Sequence, residues 1–421
     1  MAGSTDTITA ASITPVAFPD PPLLNSVGVH QPWALRAVVQ LSIGTEATGL
    51  GETYGDAHHL DLLRQVAAGL AGHDPFDLAG LTALVARTVG DARVPDVHGL
   101  TGPSTVDKTR ASVYAAFEVA CLDLQGKLTG RPVYALLGGK VRDRVPYSGY
   151  LFYKWAGHPG AEPDRWGAAL DPDGVVAQAR TMVGEYGFES LKLKGGVFPP
   201  EQEIAAIQAL RAAFPHAPLR LDPNAAWGVP TSVAVAERTA GLLEYLEDPT
   251  GGIPGMAQVA AAAPMPLATN MCVVAEADLA PAIEQRAVQV VLADHHFWAG
   301  PRGCQRLAAV CSAFGLQVSM HSNSHLGISL AAMTHVAAAT SGISHACDTH
   351  TPWQDGLDVV TDPLPITGGA VTVPDGPGLG VELDRDALAR LHENYQRCGI
   401  THRDDAGYRR QLEPGFDAPR W

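Results

Sequence analysis

The chain has 421 residues, 46% of them hydrophobic, with 44 Gly and 32 Pro spread along it; that is more than one core usually fills, so two structural units are expected, without a low-complexity tail. With 29 Lys and Arg against 44 Asp and Glu the formal net charge is −15, which argues against nonspecific adhesion to nucleic acid or anionic membrane. An anionic ligand then needs local cations or a metal. Cys121, Cys272, Cys304, Cys311, Cys347 and Cys398 form no CxxC pair, so reduced thiols and a cytoplasmic protein are expected. No window reaches the roughly 18 apolar residues of a membrane span, and Met1 to Pro22 lacks the pattern of a cleaved leader.

From about Ile13 to Gly51 the sequence reads as short strands, with clear alternation over Arg36 to Ile43; helical periodicity follows from Leu60 to Gly90 and from Lys108 to Lys127. Strands followed by helices suggest an α+β unit. From Tyr147 the rhythm changes to short apolar runs ending in polar residues, separated by Ala-rich helical stretches. The candidate strands are Ser148–Phe152, Ser190–Lys194, Leu219–Asp222, Glu244–Glu247, Leu267–Asn270, Val288–Asp294, Gln317–His321 and Ala346–His350. Their spacing suits a closed βα barrel, and no Gly-rich dinucleotide loop follows any strand. Beyond Thr361, Ile366 to Val373 and the tail to Trp421 read again as α+β, free to return to the N-terminal unit.

The strand ends carry the chemistry: Lys192 and Lys194, Asp222 and Asn224, Glu247, Asn270, Asp294, His321, His350. Side chains at the C-terminal ends of barrel strands converge on one mouth, where barrel enzymes keep their catalysis. Strands ending where polar loops begin would account for one or two of these, not for the whole ordered series. Asp222, Glu247 and Asn270 offer three oxygen ligands from neighbouring strands with no Cys or His, which suits Mg²⁺. Lys192 and Lys194 alternate on one strand and so face the same way. Only six of the 29 basic residues are lysine, and repulsion plus a nearby metal is expected to leave one of the pair neutral as a base. Asp294 and His321 end consecutive strands, so the carboxylate is placed to orient the imidazole. A metal on a carboxylate, with a lysine on one side and a His–Asp pair on the other, is the equipment for removing a proton α to a carboxylate and stabilising the enediolate. His321 and His325 have the spacing of a zinc pair, but no third nitrogen or sulfur ligand lies nearby.

The stretches Lys192-Leu-Lys194-Gly-Gly196, Leu221-Asp-Pro-Asn-Ala-Ala-Trp227, Glu247-Asp-Pro249, Ala268-Thr-Asn-Met271, Leu292-Ala-Asp-His-His-Phe-Trp298, His321-Ser-Asn-Ser-His325, Asp348-Thr-His350 and Gly376-Pro-Gly-Leu-Gly-Val-Glu382 resemble the glucarate dehydratase group of the enolase superfamily. The resemblance implies an α/β fold: a modified (β/α)7β TIM-like barrel over 146–365, an α+β capping domain over 1–145, and a C-terminal segment, 366–421, returning to the cap. It further implies a hydro-lyase using Mg²⁺ on Asp222, Glu247 and Asn270. Lys194 and His321 would be the two bases, Asp294 would support His321, and Lys192 would lie against the substrate carboxylate. His30, Thr105, Tyr150, Asn224, Asn323, His350 and Arg403 are the implied substrate contacts. The segment Thr250-Gly-Gly-Ile-Pro-Gly255 is shorter than its counterpart in relatives and lacks their additional Glu, so the second ligand falls to Glu247. The expected substrate is a small acid sugar, D-glucarate with L-idarate, or another hexarate or aldonate such as galactarate; a homo-oligomer is also implied. An epimerase of acid sugars and a sugar-acid binder without activity remain as alternatives.

Overall fold

The computed structural model describes residues 7–95, 100 and 102–421; part of the cap segment Asp91 to Asp107 lies outside the described residues. The N-terminal unit opens with strand β1 (Ala10–Pro19), a small hairpin of β2 (Leu24–Asn25) and β3 (Gly28–Val29), then β4 (Trp33–Ile43) and β5 (Ala47–Tyr54). Strands β1, β4 and β5 form one antiparallel sheet. Alternation divides it into two faces. Ala37, Val39 and Leu41 pack under helices α1 (Ala57–Ala68), α2 (Leu78–Val89) and α3 (Val106–Thr129), the valine and the leucine each contributing about 1.5–3 kcal/mol. Arg36, Glu52 and Tyr54 occupy the other face, set by the pairings Arg36↔Tyr54 and Val38↔Glu52. Helix α3 lies so close to β5 that a Cβ on Gly49 would stand 2.1 Å from the Ala120 carbonyl oxygen. The helical stretch expected from Leu60 to Gly90 is two helices, because a turn containing Gly72 and Pro75 separates them.

After the short α4 (Val133–Leu136), the barrel alternates β6 (Arg144–Phe152), α5 (Pro172–Tyr186), β7 (Ser190–Lys194), α6 (Pro200–Ala213), β8 (Leu219–Asp222), α7 (Val229–Arg238), β9 (Tyr245–Glu247) and α8 (Gly252–Ala260). It continues through β10 (Leu267–Thr269), α9 (Glu276–Glu284), β11 (Val290–Ala293), α10 (Gly300–Ala313), β12 (Gln317–Met320), α11 (Gly327–Ala339) and β13 (Cys347–Thr349). Strands β6 to β12 are parallel neighbours in order. Closure comes from β13, parallel to β6 with Cys347 opposite Tyr147. Seven helices connect eight strands, so the last strand follows α11 and no helix returns after it. All eight expected strands are present, most within a residue or two of their expected limits; β6 starts four residues earlier.

The C-terminal segment differs from expectation at its start. The hairpin of β14 (Ile366–Thr367) and β15 (Ala370–Thr372) does not go to the cap but pairs antiparallel with the first residues of β6. This apolar pair satisfies the free edge of β6 outside the barrel. The chain then crosses to the cap. Helix α12 (Arg385–Arg397) packs on β1, where the His392 ring lies 2.7 Å from the Pro15 carbonyl. Helix α13 (Asp405–Leu412) sits against Gly28, whose absent Cβ would fall 2.3 Å from the Asp405 carbonyl oxygen. Among the described residues no helix is long and apolar enough to cross a membrane. All six cysteines are free.

Candidate active site

Extended backbone in β7 sends Leu191 and Leu193 out into the core and Lys192 and Lys194 into the barrel. Lys192, Glu247 and Asp348 come from the second, fourth and eighth barrel strands, and alternate strands are what fill one interior layer. The Lys192 ammonium donates to Glu247 Oε1 at 2.7 Å and to Asp348 Oδ2 at 2.8 Å, with Asp222 at 3.5 Å. All four side chains are fully buried. Burial works against the charge of Lys192, but Asp348 and then Glu247 outweigh it and hold the group well above its ordinary range. Lys192 is therefore not the neutral member of the pair, because its surroundings are anionic. The Lys194 ammonium donates to Asp222 Oδ2 at 2.7 Å. Burial opposes ionisation of Asp222, yet Lys194 and Lys192 together bring it down to about 2.

The expected metal ligands stand together at the ends of β8, β9 and β10. Asn270 Oδ1 and Asn224 Oδ1 are buried oxygens without a hydrogen-bond partner, and Glu247 Oε2 has only the Lys192 ammonium, 2.7 Å away and poorly aligned. Unsatisfied buried acceptors are rare, and two beside a carboxylate at one barrel mouth, all oxygen, fit a hard dication such as Mg²⁺. Burial and then the Asp222 charge push the Glu247 carboxyl well above its usual range despite Lys192, which marks a place where positive charge is lacking. Asp248 is already committed: it accepts from the Thr269 hydroxyl and from the Asn270 amide at 2.8 Å. Asn224, Ala225 and Asp248 have φ of 45°, 57° and 36°, left-handed values that cost of order 1–3 kcal/mol each in non-glycine residues. Asp294, His295 and His296 also gather donors within 4.8 Å of one another. There, however, Arg36 Nη2 lies 2.7 Å from His296 Nε2, so a guanidinium occupies the approach a second cation would need.

Across the mouth, Asp294 follows β11 and His321 follows β12. His321 Nδ1 lies 3.0 Å from Asp294 Oδ2, an arrangement that leaves Nε2 for the cavity. Burial opposes the charge of Asp294, but His296 and His321 outweigh it and hold the carboxyl well below the usual range. Lys194 and His321 line one cavity, together with His30, Tyr150, Asn323, His350 and Arg403. The Tyr150 hydroxyl donates to Asp222 at 3.4 Å, and its ring lies 4.7 Å from the Lys192 ammonium. Burial above all holds His350 neutral, pushing its pKa far below the ordinary imidazole range.

At the far end of the cavity Arg403 ties three parts of the chain together. It donates to Asp405 through Nε at 3.0 Å and Nη2 at 2.6 Å, to Asn323 Oδ1 at 2.7 Å, and to His30 Nε2 at 2.8 Å. A guanidinium can only donate, so His30 carries its proton on Nδ1 and donates it to Asp20 Oδ2 at 3.0 Å. Thr105 is elsewhere: it caps α3, accepting from the Lys108 amide at 3.1 Å, and is not among the residues lining this cavity. A Thr just before a helical run is a capping signal, and that role explains it here. Sequence reading missed Asp20, which holds His30, Asp405 and His296, which hold Arg403 and Asp294 from two residues away, and the cap pair Arg36 and Glu52, which reaches His296. Asp348 was within reach, because Lys192 inside a barrel demands counter-charges from alternate strands.

Residues 174–387 match the family described as Enolase C-terminal domain-like. A protein of Streptomyces coelicolor described as a probable glucarate dehydratase is 56% identical over 427 residues, covering 99% of each chain. A solved enolase from Thermobispora bispora, complexed with magnesium and formate, superposes with a TM-score of 0.97 at 64% identity, over 98% of this chain and 99% of that one. Another, from Pseudomonas fluorescens with bound magnesium, potassium and tartrate, gives 0.95 at 48% identity over 98% of both chains.

Proposed function

The chain belongs to the enolase superfamily and, within it, to the glucarate dehydratase group, and from that premise we propose that it is a Mg²⁺-dependent hydro-lyase acting on D-glucarate and its C5 epimer L-idarate, giving 5-keto-4-deoxyglucarate. One observation carries the reading. Lys194 and His321, the latter bonded to Asp294, line the same cavity; Lys194 is bonded to Asp222 of the all-oxygen cluster, and His321 shares a second pocket with Asn270 of that cluster, so a substrate carboxylate at the cluster would present its α-carbon between two bases. Mg²⁺ held there would neutralise the charge that collects on the carboxylate as the α-proton leaves.

In this reading Lys192, kept charged by Asp348 and Glu247, adds a fixed positive charge beneath that carboxylate. His321 Nε2 removes the C5 proton of D-glucarate, and Lys194 removes that of L-idarate from the opposite face. His321, then protonated and still bonded to Asp294 through Nδ1, hands a proton to the departing C4 hydroxyl. His30, Asn323 and Arg403 meet the distal end of the diacid. The closed bonding of Arg403 to Asp405 fixes where its free edge lies, which favours a substrate of defined length.

The test is semicarbazide-detected dehydration across hexarate and aldonate stereoisomers, with Mg²⁺ and with EDTA. Metal-dependent turnover of D-glucarate and L-idarate together supports the assignment. Turnover of another acid alone, such as galactarate, would keep the chemistry and replace the substrate; proton exchange without water loss would make the protein an epimerase.

A further inference from the structure

Asp294 does not serve His321 alone. Its Oδ2 takes the Nδ1 of His321 at 3.0 Å, while its Oδ1 takes the Nδ1 of His296 at 2.8 Å and the His296 amide at 2.9 Å. The other ring nitrogen of His296 lies 2.7 Å from Arg36 Nη2 and 3.0 Å from the Ser329 hydroxyl. Arg36 belongs to cap strand β4 and is itself held by Glu52 of β5 at 2.9 Å. Glu52 in turn accepts the Leu326 and Ser329 amides at the start of α11, both at 2.8 Å. Arg36, Glu52 and His296 are 5% exposed or less, so water does not substitute for these bonds.

Donor and acceptor roles follow from chemistry alone. A guanidinium has no lone pair to offer, so His296 Nε2 is an acceptor and bears no proton; the single ring proton is on Nδ1 and points at Asp294. A cationic His296 would set N–H against N–H at 2.7 Å. With one oxygen fixed by His296, the Asp294 carboxylate cannot rotate about its Cβ–Cγ bond without breaking a buried bond. Its second oxygen is thereby aimed at His321.

Resting on the two-base reading above, we propose that His296, locked as a neutral Nδ1–H donor by Arg36 of the cap, is the positioning residue for His321. The cap then does more than cover the mouth: it sets the orientation of one of the two bases. Lys194 lies outside this chain of bonds, being tied to Asp222, so the effect belongs to one face of the substrate.

The experiment is deuterium exchange at C5 in D₂O, measured before water loss with D-glucarate for the His321 face and L-idarate for the Lys194 face, in Mg²⁺-loaded enzyme. Partners of functional histidines act on a scale of about 10–100-fold. His296→Phe is expected to slow D-glucarate exchange by about that factor while L-idarate exchange stays within about threefold. His296→Asn, whose amide N–H replaces Nδ1–H, is expected to recover most of the loss. Equal slowing of both faces, or no rescue by asparagine, overturns the proposal in favour of a packing role. A second measurement needs neither variant to be active. ¹⁵N spectra of histidine-labelled wild type, with the His296 signals assigned by their loss in His296→Asn, should show protonated Nδ1 and bare Nε2 at neutral pH. A bare Nδ1 or a cationic ring refutes it. If no acid exchanges at all, the functional reading fails, and the ring-nitrogen spectrum still decides the bonding.

Discussion

Removal of the metal should cost the folded protein stability by an amount the site itself predicts. Asp222, Glu247, Asp248 and Asp348 are all fully buried at the barrel mouth, with Lys192 and Lys194 against them, and Arg220, 3.6 Å from Asp348, is shared with Glu244 at 2.7 Å. With Glu244 and Arg220 both counted, carboxylates exceed cations by two, the charge one dication cancels. An ion that binds the native state and not the unfolded chain stabilises by about 2.7 kcal/mol at 100 times its Kd. Unfolding entropy of about 2.1 cal/mol/K per residue over 421 residues gives about 0.9 kcal/mol/K. The melting temperature should therefore rise by about 3 °C between EDTA and Mg²⁺ at that concentration. The assay is thermal unfolding of EDTA-dialysed protein titrated with MgCl₂, against NaCl at matched ionic strength. Asp222→Asn should erase the shift at the same Mg²⁺ concentration, and Asn270→Ala should reduce it. A shift of equal size in Asp222→Asn, or none at saturating Mg²⁺, would refute the assignment of the cluster as the site.

Lys194→Met should abolish C5 exchange from L-idarate and His321→Asn that from D-glucarate, each sparing the other epimer's exchange; full exchange of both epimers in both variants would rule out two bases. Glu118 of α3, 1% exposed, accepts from the Tyr114 hydroxyl at 3.2 Å and the Arg302 amide at 3.3 Å, and burial raises its pKa from 4.5 to about 7 despite the Arg302 amide bond. The native state thus keeps a proton that the unfolded chain releases, so stability falls as pH rises through that window, by at most about 3 kcal/mol. Glu118→Gln should flatten this fall between pH 5 and 8 in urea titrations, and parallel curves for variant and wild type would contradict it. Arg403→Leu removes the guanidinium bonded to Asp405, 0% exposed, which keeps its bond from the Asn25 amide; a loss of up to about 3–5 kcal/mol with a raised KM for the diacid is expected. An unchanged KM at full Mg²⁺ saturation would remove Arg403 from the distal subsite.

The strands and the residues ending them were legible because two regularities reinforce each other. Period-two alternation makes Lys192 and Lys194 face one way, and barrel closure brings Asp222, Glu247, Asn270, Asp294 and His321 to one rim, so strand position alone specifies convergence. Single residues before helices were less legible. Thr105 satisfied the pattern for a substrate contact and for a helix cap equally well, and only the position of α3 separates them. The hairpin of β14 and β15 was assigned to the cap because its alternating residues say that it is a strand pair without saying which edge it joins.

What the sequence hid shares one physical character: each missing residue is a polar group buried by the fold. Asp20 explains His30 from ten residues away and Glu52 explains Arg36 from sixteen, neither at helix or strand spacing, while Asp405 lies only two residues from Arg403 and nothing in the local sequence says that both are buried. Their burial makes them consequential. Glu52 is 1% exposed and has as partners one cap arginine and two amides of a barrel helix. Burial opposes its charge, and Arg36 with the α11 amides reverses the balance, holding the carboxyl below its usual range. A cap separated from the barrel would expose that carboxylate to water but strand the Leu326 and Ser329 amides at the start of α11, each at a cost of about 1–3 kcal/mol if left unpaired. Cap and barrel are therefore coupled by the same bonds that run through Arg36 and His296 to the catalytic face, and a substitution weakening the interface should register at His321 before it registers at Lys194.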